Sequence, residues 1–263
     1  MKNIIKILAI ALVAVMAVSC FAACGAKDGE KVYKIASDNA FPPFEFISED
    51  GETYTGIDMD IMAAIAEDQG FKYEMVNVGF KAALGQVQAG QADAMIAGMT
   101  ITDERKETFD FSEGYFEDGQ SLLVPADSAI ASFEDLAGKK VAVKSGTMGL
   151  EYAESIKAEY GFETFTFDGS NEMYAAVLAG TYDACFEDFS VGGYAIKNGN
   201  LALKTVMTVG ENGVINPAPY GFAVKKGENA ELIEMFNKGL ENIKASGKYV
   251  EILGNYGISV DAE

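Results

Sequence analysis

From residue 32 onward, two spacings of apolar side chains alternate along the chain: short unbroken runs, and stretches in which apolar residues return every three or four positions. That alternation predicts an α/β architecture. The runs at 32–37, 71–78 and 93–97 predict strands. Ile57, Ile61, Met62, Ile65 and Ala66 predict a helix over 57–70, closed by Gly70, and a second helix is expected over 80–89. Thr102 is placed to cap a further helix, with Asp103 and Glu104 in the first turn, where the helix dipole favours acids. After Val124-Pro125 a second series begins. Ser132-Phe133-Glu134-Asp135 has the form of a capping box with Asp in place of Glu and opens a short helix. Strands are expected at 140–144, 162–167 and 183–187, helices at 147–160 and 171–179, then a strand at 220–224 and helices at 229–245 and 249–253. No short repeat of fixed period occurs. Two half-length α/β series predict two lobes, each with loops at the carboxyl ends of its strands, where open α/β sheets bind ligands. A cleft between the lobes follows.

The first 23 residues break this pattern. Lys2 and Lys6 precede an apolar run at 7–18, the length of an export-signal core and shorter than the roughly 20 residues of a spanning helix. Small residues stand before Cys20 and before Cys24. Cys24 is the favoured lipid-attachment site, with residues 24–30 as a polar tether, and Cys20 is the alternative. An extracytoplasmic location anchored to the cell membrane by lipid is therefore expected. About 239 residues remain, enough for two moderate lobes with real cores.

Charge and composition narrow the chemistry. The formal net charge is −20, and it becomes −22 without a signal that holds two lysines and no acid. Nucleic acid, which needs a basic footprint, is excluded as a partner. Histidine and tryptophan are absent, which removes Ser-His-Asp and Cys-His catalysis and His-ligated zinc. The acids show no calcium-loop spacing, and neither metal nor cofactor is expected. Cys185 stands outside the signal region and reads as a small buried residue in a strand.

Arg105 is the one arginine beside 19 lysines. It closes the stretch Ala97-Gly98-Met99-Thr100-Ile101-Thr102-Asp103-Glu104-Arg105. A guanidinium presents a planar fork that fits a carboxylate through two bonds, which an ammonium cannot do. Gly98 and Thr100 lie on the same short segment and could turn backbone groups and a hydroxyl to the same anion.

The chain resembles the extracytoplasmic substrate-binding proteins of polar amino acid ABC transporters, the bacterial solute-binding protein family 3, and is most similar to their glutamine-type members. The residues that carry the resemblance are Ala36-Ser37-Asp38-Asn39-Ala40-Phe41-Pro42-Pro43-Phe44-Glu45-Phe46, Gly56-Ile57-Asp58-Met59-Asp60, residues 97–105, Asp110-Phe111-Ser112, Val143-Lys144-Ser145-Gly146-Thr147 and Phe186-Glu187-Asp188. The resemblance implies the two-lobed type II periplasmic-binding-protein fold. Lobe one would join 31–114 with 221–263, lobe two would be 120–215, and hinges would lie at 115–119 and 216–220. It implies closure about a ligand and, as partners, a free amino acid, a permease and its ATPase, with the binding protein itself a monomer. Residue by residue, Arg105 is implied as the clamp on the α-carboxylate, helped by Thr100 and Thr147. Asp188 is implied to take the α-ammonium beside the Gly98 carbonyl. Phe41 and Phe80 would pack on the ligand stem, and Asp38 and Lys144 would read its side chain.

Two departures leave the ligand open. Met148 stands where glutamine-type members commonly have glycine, and Glu187 where they have histidine. Asp38, Glu187 and Asp188 against Arg105 and Lys144 leave one excess negative charge, which suits arginine or lysine. Pairing of Lys144 with Glu187 would instead favour a neutral amide. Glutamine is ranked first and the basic amino acids next. The alternative is a dehydratase-like enzyme on the same scaffold, with Glu187 as general acid. A sensor module is not expected, because no spanning segment or signalling domain follows.

Overall fold

The computed structural model describes residues 31–48 and 50–258. The signal segment, Cys20, Cys24 and the tether lie outside the described residues. Strand β1 (Val32–Ser37) is followed by β2 (Ala40–Phe41), β3 (Glu45–Ile47) and β4 (Tyr54–Thr55), then α1 (Ile57–Gln69), β5 (Lys72–Asn77), α2 (Phe80–Gln88), β6 (Ala94–Met95) and β7 (Phe109–Phe111). The second series is β8 (Phe116–Pro125), β9 (Lys140–Lys144), α3 (Met148–Tyr160), β10 (Glu163–Phe167), α4 (Ser170–Leu178), β11 (Ala184–Asp188), α5 (Phe189–Lys197), β12 (Leu203–Thr205) and β13 (Ile215–Tyr220). The chain then returns through β14 (Ala223–Lys225), α6 (Ala230–Ala245) and α7 (Lys248–Asn255).

The first sheet has the order β5-β1-β6-β14-β7, with β1 and β6 parallel and β14 antiparallel to both its neighbours. A strand from the far end of the sequence thus sits inside the first lobe. The stripe Ile57, Ile61, Met62 and Ile65 of α1 is buried against this lobe's core with Phe236 and Leu240 of α6, and Phe222 stacks on Phe236 with ring centroids 4.6 Å apart. The second sheet runs β10-β9-β11-β8-β12, with β13 paired to β8. β9 is parallel to both β10 and β11, and its Val141 and Val143 share a core with Phe162, Ala184 and Phe186. Cys185 is a buried free thiol in β11, in keeping with its reading as a small apolar residue. Among the described residues no helix is long and apolar enough to cross a membrane.

Differences from the sequence expectation have local causes. Thr102 does act as a cap, its Oγ1 accepting from Arg105 N at 3.1 Å, but only a 3-10 turn over Arg105–Glu107 forms, because the chain must enter β7 at Phe109. The strand expected over 220–224 is two strands. β13 ends at Tyr220 in the second sheet and β14 begins at Ala223 in the first. The small sheet β2-β3-β4 has strands of two or three residues, too short to show a period. α5 carries Gly192 and Gly193, each of which lowers helix propensity by about 1 kcal/mol. β13 holds Pro217 and Pro219, tolerated because its pairing is to β8.

Candidate ligand-binding site

Parallel pairing turns the carboxyl ends of β1 and β6 in one lobe, and of β9 and β11 in the other, toward a common cleft. Asp38 follows β1, Gly98 and Thr100 follow β6, Lys144 ends β9 and Asp188 ends β11. Phe80 is the first residue of α2, while Thr147 caps α3, its Oγ1 accepting from Leu150 N at 3.4 Å and donating to Lys144 O at 2.8 Å. A small cavity of about 10 Å³ is lined by Phe41, Phe80, Ala97, Gly98, Thr100, Arg105, Lys144, Thr147, Met148 and Asp188. Eight of the residues singled out in the sequence meet there, with Ala97 and Met148 beside them. Asp38 and Glu187 stand behind this wall.

Arg105 is 9% exposed. Nη1 donates to Thr100 O at 2.9 Å, Nη2 donates to Gly146 O of the other lobe at 3.2 Å, and Glu151 Oε1 of α3 lies 3.8 Å from Nη2. The guanidinium also faces the Phe80 ring at 5.8 Å. Burial lowers its pKa, with the Glu151 and Asp188 charges acting the other way.

Lys144 Nζ donates to Asp38 Oδ2 across the cleft and lies 4.7 Å from the Phe41 ring centroid. Burial alone would pull the ammonium down, but Asp38, Glu187 and Glu45 together raise it above its ordinary value. The buried partner is thus Asp38 rather than Glu187, so the Lys144–Glu187 pairing expected to favour a neutral amide is not formed. Glu187 accepts from Tyr174 OH at 2.9 Å and from Asp188 N at 3.1 Å, and burial, then Asp188, pushes its carboxyl up.

Asp188 receives hydrogen bonds from Gln120 Nε2 and Tyr220 OH. Burial, then the charge of Asp118, raises its pKa. Gly98 has a left-handed φ of 53°, and a Cβ there would come within 2.5 Å of Phe41 Cε1, so the backbone itself faces the cavity. Behind it, Asp58 Oδ2 accepts from Gly98 N at 2.9 Å and from Tyr115 OH at 2.9 Å.

Sequence reasoning missed Tyr220, Asp118, Gln120 and Glu151 as parts of this site. The first three arrive through the β8–β13 pairing, with Phe116 opposite Tyr220 and Asp118 opposite Ala218, a long-range register that no local pattern announces. Glu151 carried a weak signal, as an acid one helical turn beyond Thr147.

With this geometry the chain has the type II periplasmic-binding-protein fold, two lobes with a cleft between them. Residues 33–258 match the bacterial extracellular solute-binding proteins, family 3, and the chain belongs to that family. It is similar to the ABC transporter glutamine-binding protein GlnH of Bacillus subtilis, 34% identical over 273 residues that cover 94% of this chain and 95% of the relative. An ancestral arginine-binding protein solved with glutamine is 38% identical with a TM-score of 0.77, covering 86% of this chain and 97% of its own. The second substrate-binding domain of Lactococcus lactis GlnP in its open conformation is 43% identical, with a TM-score of 0.59, covering 88% of this chain and 97% of its own. The protein is an amino acid-binding member of the ABC-transporter solute-binding proteins.

Proposed function

We propose that the protein is a receptor for a polar amino acid, glutamine first and arginine or lysine next. It would hand this ligand to an ABC importer made of a permease and an ATPase. The observation that carries the ligand class is the Lys144 ammonium at the cavity wall, paired with Asp38 behind it. An amide oxygen accepts from the ammonium and an amide NH2 donates to the carboxylate, whereas a cationic side chain would meet the Lys144 charge. GlnH supports the same choice, and the ancestral arginine-binding protein, solved with arginine and with glutamine, supports the basic amino acids as the next. Arg105 holds the ligand α-carboxylate with help from Thr100 and Thr147, and Asp188 with the Gly98 carbonyl takes the α-ammonium. Phe41 and Phe80 pack on the stem. The lobes comprise 31–114 with 221–263 and 120–215, closing about hinges at 115–119 and 216–220. Glu187, the acid that an enzymatic reading needs, is engaged by Tyr174 and the Asp188 amide, which supports binding without chemistry.

In this reading residues 1–23 direct export, Cys24 carries lipid, and the monomer is held at the outer face of the membrane. Mass spectrometry of the mature N-terminus tests that part; an unmodified cysteine rejects it.

A thermal-shift screen of the twenty amino acids tests the ligand. Glutamine is expected to raise Tm most, by an amount set by its concentration over Kd. Arg105→Ala is expected to abolish most of that shift while the fold is kept. Calorimetric affinity equal to that of the parent protein would remove Arg105 from the clamp role.

A further inference from the structure

The proposed ammonium subsite contains a second carboxylate that the zwitterion scheme leaves unused. Asp118, on β8, is buried. Its Oδ1 accepts from Gly119 N at 2.8 Å, and its two oxygens share Ser190 N at 3.3 and 3.2 Å. Tyr220 OH lies 3.1 Å from Asp118 Oδ2 and is also hydrogen-bonded to Asp188 Oδ2. A phenol carries one hydrogen, so it serves one carboxylate and turns lone pairs to the other. On the far side of Asp188, Gln120 Nε2 donates to Oδ1, while the buried Gln120 Oε1 receives no hydrogen bond from the described residues. The cluster has more buried acceptors than hydrogens to satisfy them, and a buried acceptor without a donor is costly.

We infer that Asp118 is a positioning residue of the ammonium subsite, acting through the Tyr220 hydroxyl that it shares with Asp188. We infer also that the unliganded cluster holds a proton, which the incoming ammonium displaces to the buffer. The inference rests on the reading of Asp188 as the ammonium acceptor. An ammonium brings three donors to a cluster that lacks them. Burial raises both carboxyls, and for Asp188 the Asp118 charge adds to it. The other groups that face Asp188 are Lys144 from β9 and Arg105 from the first lobe, both cationic, Glu187 beside it on β11 and Tyr174 from α4. Lys144 is occupied by Asp38, and Arg105 by two carbonyls and Glu151, so neither hydrogen-bonds the Asp118–Asp188 pair.

A ligand that lowers the pair's proton affinity binds more tightly as pH rises through the unliganded titration, by at most about tenfold per pH unit for one proton. Above that range the dependence flattens. The test is calorimetry of glutamine binding to the whole chain at pH 6.5 in phosphate and in imidazole, whose ionisation heats differ, with Kd measured at pH 5.5 and 7.5. Expected is release of a fraction of a proton per ligand and a Kd several-fold weaker at pH 5.5. Asp118→Asn is expected to reduce both effects sharply, and Tyr220→Phe, which takes from both carboxylates the hydroxyl that lowers their proton affinity, is expected to move the loss of affinity to higher pH, a second reading should Asp118→Asn fail to fold. Binding heat that is identical in the two buffers, or an Asp118→Asn variant that releases as much as the parent, overturns the inference while leaving the functional reading in place. An absence of heat with every one of the twenty amino acids overturns both.

Discussion

Lys144 and Asp38 come from opposite lobes and form an ion pair inside the cleft, with 2% and 3% of their side chains exposed. Each neutralises a charge that would be expensive to bury alone. Because the pair spans the cleft, the proposed lobe closure and side-chain recognition would depend on the same two groups.

Lys144→Met removes the ammonium and keeps much of the apolar stem. Asp38 is then a buried carboxylate in want of a cation, a situation that costs about 3–5 kcal/mol when one partner of a buried pair is deleted. Glutamine affinity is expected to fall at least tenfold, and the glutamine-to-arginine affinity ratio to shift toward arginine, whose guanidinium can replace the lost charge. Calorimetry with both ligands checks this, and an unaltered ratio would show that Lys144 does not read the side chain.

Under the proposed clamp role of Arg105, Glu151 would compete with the ligand for its guanidinium. Its Oε1 is 3.8 Å from Nη2, and the side chain is 43% exposed, so the ion pair contributes little to stability. Glu151→Gln is expected to leave Tm without ligand nearly unchanged and to tighten glutamine binding by about two- to fivefold, through loss of a weak exposed pair. Weaker binding in the variant would mean that Glu151 aligns the guanidinium instead of opposing the ligand.

Glu45 predicts a slope of stability against pH. It is fully buried, and neither carboxyl oxygen receives a hydrogen bond from the described residues. Burial, then the charges of Asp58 and Asp38, raises its pKa well above the ordinary carboxylate value, and burial raises Asp58 to about 6. A carboxyl whose pKa is higher folded than unfolded keeps its proton longer in the folded state. Stability is therefore full below the unfolded carboxylate range and declines as pH rises toward the folded value. Glu45→Gln keeps the size and removes the titration. Thermal denaturation between pH 5 and pH 8 is expected to show a shallower fall in Tm for the variant than for the parent, and equal slopes would exclude Glu45 as a buried neutral acid.

Much of this was legible in the chain because local forces decide it. β1 and β9 occupy the residues expected of them, since apolar runs of strand length can be buried in few other ways. α1 stops where Gly70 adopts a left-handed φ of 71°, as its composition foretells. The order of motifs likewise placed Arg105, Lys144 and Asp188 in one family and toward one cleft. Three-dimensional packing alone could decide the partners. Lys144 chose Asp38, 106 positions away, over Glu187, and Tyr220 bridges Asp118 and Asp188 through a strand register set 102 residues apart. Periodicity reports how one segment meets water and its own backbone. Which buried charges lie within hydrogen-bonding reach depends on how two sheets face each other, and no run of neighbouring residues encodes that distance.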